Sequence, residues 1–76
     1  MQILLSNMRK GQSGIVQEIR INNSKVKLHL LEIGLTKGTK IKIKKIAPNG
    51  DPISIELRDY ELCISKENAA KIVILR

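Results

Sequence analysis

Apolar and polar positions change rhythm along this chain, and each change marks a boundary between elements. From Leu30 to Lys44 a helical spacing of apolar residues stops at Gly34 and Gly38 and becomes strict alternation in Lys40-Ile41-Lys42-Ile43-Lys44. Glycine is favoured just past a helix, where a positive φ is needed, so Gly34 reads as the helix exit and Gly38 as a second turn. The next punctuation is Pro48-Asn49-Gly50-Asp51-Pro52. Its prolines fix φ, and its Asn and Asp side chains can hydrogen-bond their own backbone, so it reads as a turn between two alternating strands.

Taken in order, Ser6 to Gly14 is polar and glycine-punctuated and reads as an irregular opening segment, with Leu4 and Leu5 available to pack on the body. The first strand is expected over Ile15 to Ile21, with Ile15, Ile19 and Ile21 on one face and Val16, Glu18 and Arg20 on the other. Asn22-Asn23-Ser24 offers side-chain oxygens to the unpaired first-turn amides of a helix over Ser24 to Ile33. On that helix Val26, Leu30 and Ile33 form one apolar stripe, and Leu28 and Leu31 lie away from it. Two readings of the outlying leucines stay open: cover by the opening segment or a loop, or an exposed apolar patch for a partner.

The second strand, Thr39 to Ile46, points Ile41 and Ile43 inward and Lys40, Lys42 and Lys44 outward, and the doublet Lys45-Ile46 breaks phase as a bulge would. The third, Ile53 to Arg58, points Ile53, Ile55 and Leu57 inward and sets Glu56 across from Lys42 or Lys44. The fourth, Tyr60 to Ser65, turns Leu62 and Ile64 inward and leaves Glu61 and Cys63 on the other face. A helical turn over Lys66 to Ala70, capped by Ser65 with Glu67 in its first turn, leads to a last strand over Lys71 to Leu75. Short strands in so few residues favour closure, which hides edges. The expected fold is mainly β: a small SH3-like five-stranded barrel with one α-helix after the first strand and a short helical turn before the last, as a single domain over 1–76.

Composition narrows the chemistry. A chain of 76 residues buries only about 60% of the surface its unfolded form exposes, so a catalytic site with its supporting shell would compete with the core for residues. No catalytic constellation stands out, and an enzyme is not expected. Cys63 is the only cysteine, which excludes an internal disulfide and a CxxC motif and fits a reducing cytosol. No apolar run approaches the ~20 residues that cross a bilayer, and the N-terminus lacks the pattern of a signal peptide, so a cytoplasmic protein is expected. The net charge of +7 attracts nucleic acid, anionic lipid or an acidic protein surface without choosing among them.

His29 and Glu32, spaced i, i+3, are weak metal candidates, since two ligands do not make a site and Cys63 lies on another element. No metal or cofactor is expected. Asp51 and Asp59 read as turn residues rather than an acid/base pair. No P-loop is present, so nucleotide chemistry would belong to a partner. The row Lys40, Lys42, Lys44 with Lys45 reads equally as a solvated strand face or as a contact surface. Tyr60 is the only aromatic, which argues against base stacking and specific nucleic acid binding.

Beyond these readings, the chain resembles the FeoA family, small cytoplasmic components of bacterial ferrous iron transport. The resemblance rests on a Leu-x-x-Leu-Gly-Leu-x-x-Gly helix exit, here Leu30, Ile33, Gly34, Leu35 and Gly38, on the turn Gly50-Asp51-Pro52, and on a terminal Ala-x-x-Ile pattern at Ala69 and Ile72. Ile33 and Lys37 depart from the usual Leu or Met and Pro, and both permit the same exit and turn. The resemblance implies an SH3-like barrel acting with FeoB, a membrane permease that carries a cytoplasmic GTP-binding domain. Transition-metal binding comes with the family only as an association. The same domain type resembles the carboxy-terminal module of DtxR-like repressors, whose other domains a chain of this length cannot contain.

The expected role is therefore a nonenzymatic accessory protein of ferrous iron transport that binds a FeoB-like membrane GTPase permease, without membrane insertion. The contact candidates are Leu28, Leu31, Lys40, Lys42 and Lys44, with Gly34, Leu35, Gly38, Gly50, Asp51 and Pro52 keeping the geometry. Weak self-association through an uncovered strand edge stays open. The alternative is a small basic SH3-like nucleic-acid-binding module.

Overall fold

The computed structural model describes residues 1–76. The chain runs β1 (Gln2–Leu4), a 3-10 turn (Leu5–Asn7), β2 (Ser13–Ile19), α1 (Ser24–Glu32), β3 (Lys40–Ile46), β4 (Ile53–Leu57), β5 (Tyr60–Ile64), α2 (Lys66–Ala69) and β6 (Ile72–Leu75). All six strands join one antiparallel sheet in the order β1-β6-β2-β3-β4-β5. The mainly β, SH3-like architecture is present, with one strand more than the alternation indicates. That strand is β1, whose Gln2, Ile3 and Leu4 pair with Leu75, Ile74 and Val73. Three residues are too few to show a period of two.

The strands β3, β4 and β5 form as their patterning dictates. Ile41, Ile43, Ile53, Ile55, Leu57 and Ile64 are buried, each contributing about 1.5–3 kcal/mol of transfer free energy. The bulge expected near Lys45 is present, with the register against β4 shifting between Ile43 and Lys45. The 3-10 turn and α2 pack on each other and add Leu5 and Ala69 to the same core. Ser65 Oγ caps α2, accepting from the Asn68 amide at 3.2 Å.

In β2 the facing differs from the expectation. Val16, assigned to the outer face, is buried, and Ile15, assigned inward with Ile19 and Ile21, is 39% exposed. The register against β6 shifts between Val16 and Glu18, so Gln17 is an extra residue. One extra residue inverts the alternation, which lets Val16, Ile19 and Ile21 all serve the core side while Ile15 turns out. Gly14 precedes this strand section for a packing reason. A Cβ there would collide with the Ile74 side chain and come within 2.9 Å of the Leu75 carbonyl oxygen.

Both ends of α1 are fixed by hydrogen bonds. Asn23 Oδ1 accepts from the Lys25 and Val26 amides at 3.0 and 3.2 Å. At the other end the Leu35 amide donates to Leu30 O at 2.9 Å and the Gly34 amide to Leu31 O at 3.1 Å. This is the Schellman closure, in which Gly34 takes φ +94° and the buried Leu35 packs near the buried Leu30. Thr39, the one buried polar side chain, locks the same corner, donating from Oγ1 to Gly34 O at 3.0 Å.

Candidate partner-binding surface

Leu30 turns α1 toward the core, and Val26 and Ile33 pack against it half-buried. Leu28 and Leu31 remain on the outside, 57% and 44% exposed. No loop or opening segment covers them, so the expectation of burial under another part of the chain is corrected and both side chains face solvent. Their i, i+3 spacing places them side by side on the helix surface, with Lys25, Lys27, His29 and Glu32 exposed around them. The helix that carries them is closed at both ends, by the Asn23 cap and by the Gly34–Leu35 exit.

The outward lysines of β3 are not equivalent. Lys44 Nζ lies 3.4 Å from Glu56 Oε2 and 3.6 Å from Glu61 Oε1. The hydrogen bond to Glu56, then the charges of Glu56 and Glu61, raise its pKa above the ordinary lysine value. Lys42 faces Glu56 across the ladder and Lys40 faces Ile15, and neither makes an ion pair. Lys40 and Lys42 line an open groove of about 680 Å³ together with Ser13, Thr39, Glu56 and Arg58.

Arg58 is the groove residue that sequence reasoning missed as a contact candidate. It sits with Asp59 in the two-residue turn between the paired Leu57 and Tyr60, at φ +51°. Such hairpin turns need positive φ, which costs an L-residue other than Gly or Asn about 1–2 kcal/mol. A two-residue gap filled by Arg-Asp in place of Asn-Gly was the available signal. The guanidinium lies against the helix exit, with Nη1 3.8 Å from where a Gly34 Cβ would stand. The exit of α1 is thereby the joint between the exposed leucines and the groove, and a cation suits it because the helix carries partial negative charge there.

His29, Glu32 and Cys63 do not converge, and no cluster of three or more His, Cys, Asp or Glu side chains forms. Asp51 and Asp59 occupy separate turns. Asp51 Oδ1 accepts from the Lys66 amide at 3.0 Å, which ties the β3–β4 turn to the start of α2. Gly50 beside it takes φ +84°, and the Asp51–Pro52 peptide is cis. Gly38, at φ +94°, lies on the groove rim. No helix is long and apolar enough to cross a membrane.

A family model described as the FeoA domain matches residues 3–76. The Fe(2+) transport protein A/Fe(2+) transporter FeoB fusion protein of Porphyromonas gingivalis is 30% identical over 71 residues, 92% of this chain, which spans 8% of that protein's length. The solution structure of the FeoA-like protein from Clostridium acetobutylicum is 34% identical and superposes with a TM-score of 0.82, covering 97% of this chain and 85% of that one. A manganese-dependent transcriptional repressor superposes with a TM-score of 0.87 over 97% of this chain and 41% of its own, at 16% identity, a likeness of fold alone. The helix exit, the Gly50-Asp51-Pro52 turn and the terminal Ala69 and Ile72 all fall inside the matched span, and the chain belongs to the FeoA family.

Proposed function

We propose that this chain is a nonenzymatic cytoplasmic accessory protein of ferrous iron transport that acts by binding a FeoB-type membrane GTPase permease. The exposed pair Leu28 and Leu31 on a rigidly capped helix carries this reading. Hydration offers these side chains little, whereas burial in an interface returns up to about 1.5–3 kcal/mol apiece. The Porphyromonas gingivalis relative carries both names in one polypeptide, which supports pairing of the two functions. Covalent linkage holds partners at high effective concentration, and separate chains must replace that linkage by contact.

The test is capture of the cytoplasmic GTPase domain of a FeoB-type permease by this chain and by its Leu31→Glu variant, with ferrous iron uptake measured alongside. Loss of capture and uptake by a folded variant supports the reading. Failure of the parent chain to capture the domain would remove it, and unchanged capture by folded Leu31→Glu would move the contact off α1. The nucleic-acid alternative makes a different demand: sequence-selective binding that survives physiological salt, where simple phosphate attraction fades.

A further inference from the structure

We infer that the groove of Lys40, Lys42 and Arg58 receives an extended acidic segment of the partner polypeptide, its carboxylates spaced to meet these cations. The inference rests on the partner reading above and names the chemistry recognised beside the leucine face.

The charge balance of the groove leads to it. Lys40, Lys42 and Arg58 have no ion-pair partner, and Glu56, the only acid lining the groove, is engaged by Lys44. Lys44 is accordingly not one of the receiving cations, although it shares their strand. Arg58 adds a second and independent sign. An arginine held at φ +51° in a turn that glycine or asparagine fills more comfortably is strain retained at a surface position, which points to use of the side chain. Its planar donor fork matches a carboxylate bidentately.

The shape favours a polypeptide over a small anion. Gly11 and Gly38 line the groove with nothing within 4 Å of where a Cβ would stand, so a chain can lie close along the backbone. Their amides are already used, Gly11 donating to Ile43 O and Gly38 to Val16 O. A compact phosphate would therefore find no ring of free amides there. Beyond Lys40 the same row across the sheet continues into Ile15 and then Leu75, 39% and 43% exposed. An extended segment carrying aliphatic residues beside its carboxylates meets both kinds of surface.

The test uses a short labelled peptide of alternating glutamate and valine and its glutamine counterpart, read by fluorescence anisotropy. The glutamate peptide should bind and weaken as salt rises. Lys40→Gln combined with Lys42→Gln should reduce affinity about tenfold, and Lys25→Gln or Lys27→Gln should change it less than about twofold. Arg58→Asn should weaken binding while holding or raising the thermal midpoint, a pairing of effects that a purely structural arginine would not give. Equal binding of the glutamine peptide, equal loss in Lys25→Gln, or a lowered midpoint in Arg58→Asn would overturn the inference. So would displacement of the peptide by inorganic phosphate or by anionic phospholipid vesicles as readily as by unlabelled peptide. If the GTPase domain is captured normally by the Lys40→Gln, Lys42→Gln protein but lost by Leu31→Glu, the groove assignment fails and the partner reading stands. If the parent chain itself captures no GTPase domain, the partner reading itself fails.

Discussion

Two regions of this molecule turn long side chains outward, and water treats them differently. On β3 the exposed residues are Lys40, Lys42 and Lys44, whose charges are well hydrated, and one of them is balanced by Glu56 and Glu61. On α1 the exposed residues include Leu28 and Leu31, for which solvation supplies no return. An outward lysine needs no explanation, because charged edges and faces are how small β proteins resist aggregation. An outward leucine pair on a helix capped at both ends calls for one. The comparison separates a surface on which hydration is favourable from one on which it is not, and it divides the lysine row itself, since Lys44 is committed within the chain and Lys40 and Lys42 are not.

The largest effect that sharpens this contrast comes from two neighbours on α1. Leu30→Glu places a carboxylate in the core and should cost about 4 kcal/mol or more, leaving much of the protein unfolded in urea titration. Leu31→Glu should stay within about 1 kcal/mol of the parent in the same experiment, because its side chain faces water. Comparable losses in both would place Leu31 in the core and dissolve the contrast.

Next comes the joint between the two regions. Gly34→Ala has room for its methyl group, the nearest atom being 3.8 Å away on Arg58, so its cost is that of φ +94° alone, about 1–2 kcal/mol. The midpoint of urea unfolding should fall accordingly, with the slope unchanged. Asn23→Ala removes the acceptor for two first-turn amides and should cost about 1 kcal/mol, read as a lower thermal midpoint.

The smallest effect belongs to Lys44. Its pKa in the folded protein is raised by Glu56 and Glu61, so the ammonium is favoured by folding, and that contribution is complete below 10.5 and is lost as pH climbs through the folded value. Lys44→Gln should therefore melt slightly below the parent at neutral pH, and the gap should close in strongly alkaline solution. A gap that widens with alkali would contradict the assignment.

The contrast was half legible from sequence. The separation of Leu28 and Leu31 from the stripe of Val26, Leu30 and Ile33 follows from helical periodicity, but whether another segment covers them depends on chain path, which periodicity does not encode. β3 and β2 show the same limit within strands. In β3 the doublet Lys45-Ile46 breaks the alternation and announces its bulge. In β2 the alternation gives no warning of the extra residue at Gln17, because Ile15 and Val16 are both apolar, and tertiary packing against β6 selects the phase that buries Val16. β1 is shorter than one readable period, and its pairing with β6 is a long-range choice. Arg58 escaped notice because its importance lies in a backbone angle and in its approach to Gly34, across the fold from it in sequence. The helix exit was the most legible feature, since Gly34 and its flanking leucines encode a local hydrogen-bond closure that needs no distant contact.

The central claim is that the uncovered face of α1 is where a protein partner docks. Amide chemical-shift mapping of this chain, titrated with the cytoplasmic GTPase domain of a FeoB-type permease, tests it most directly. The account predicts saturable shifts centred on Leu28 and Leu31 and extending over the α1 exit to Lys40, Lys42 and Arg58. Shifts confined to the β1 and β6 side, or no saturable shifts while the domain remains folded and nucleotide-bound, would contradict it.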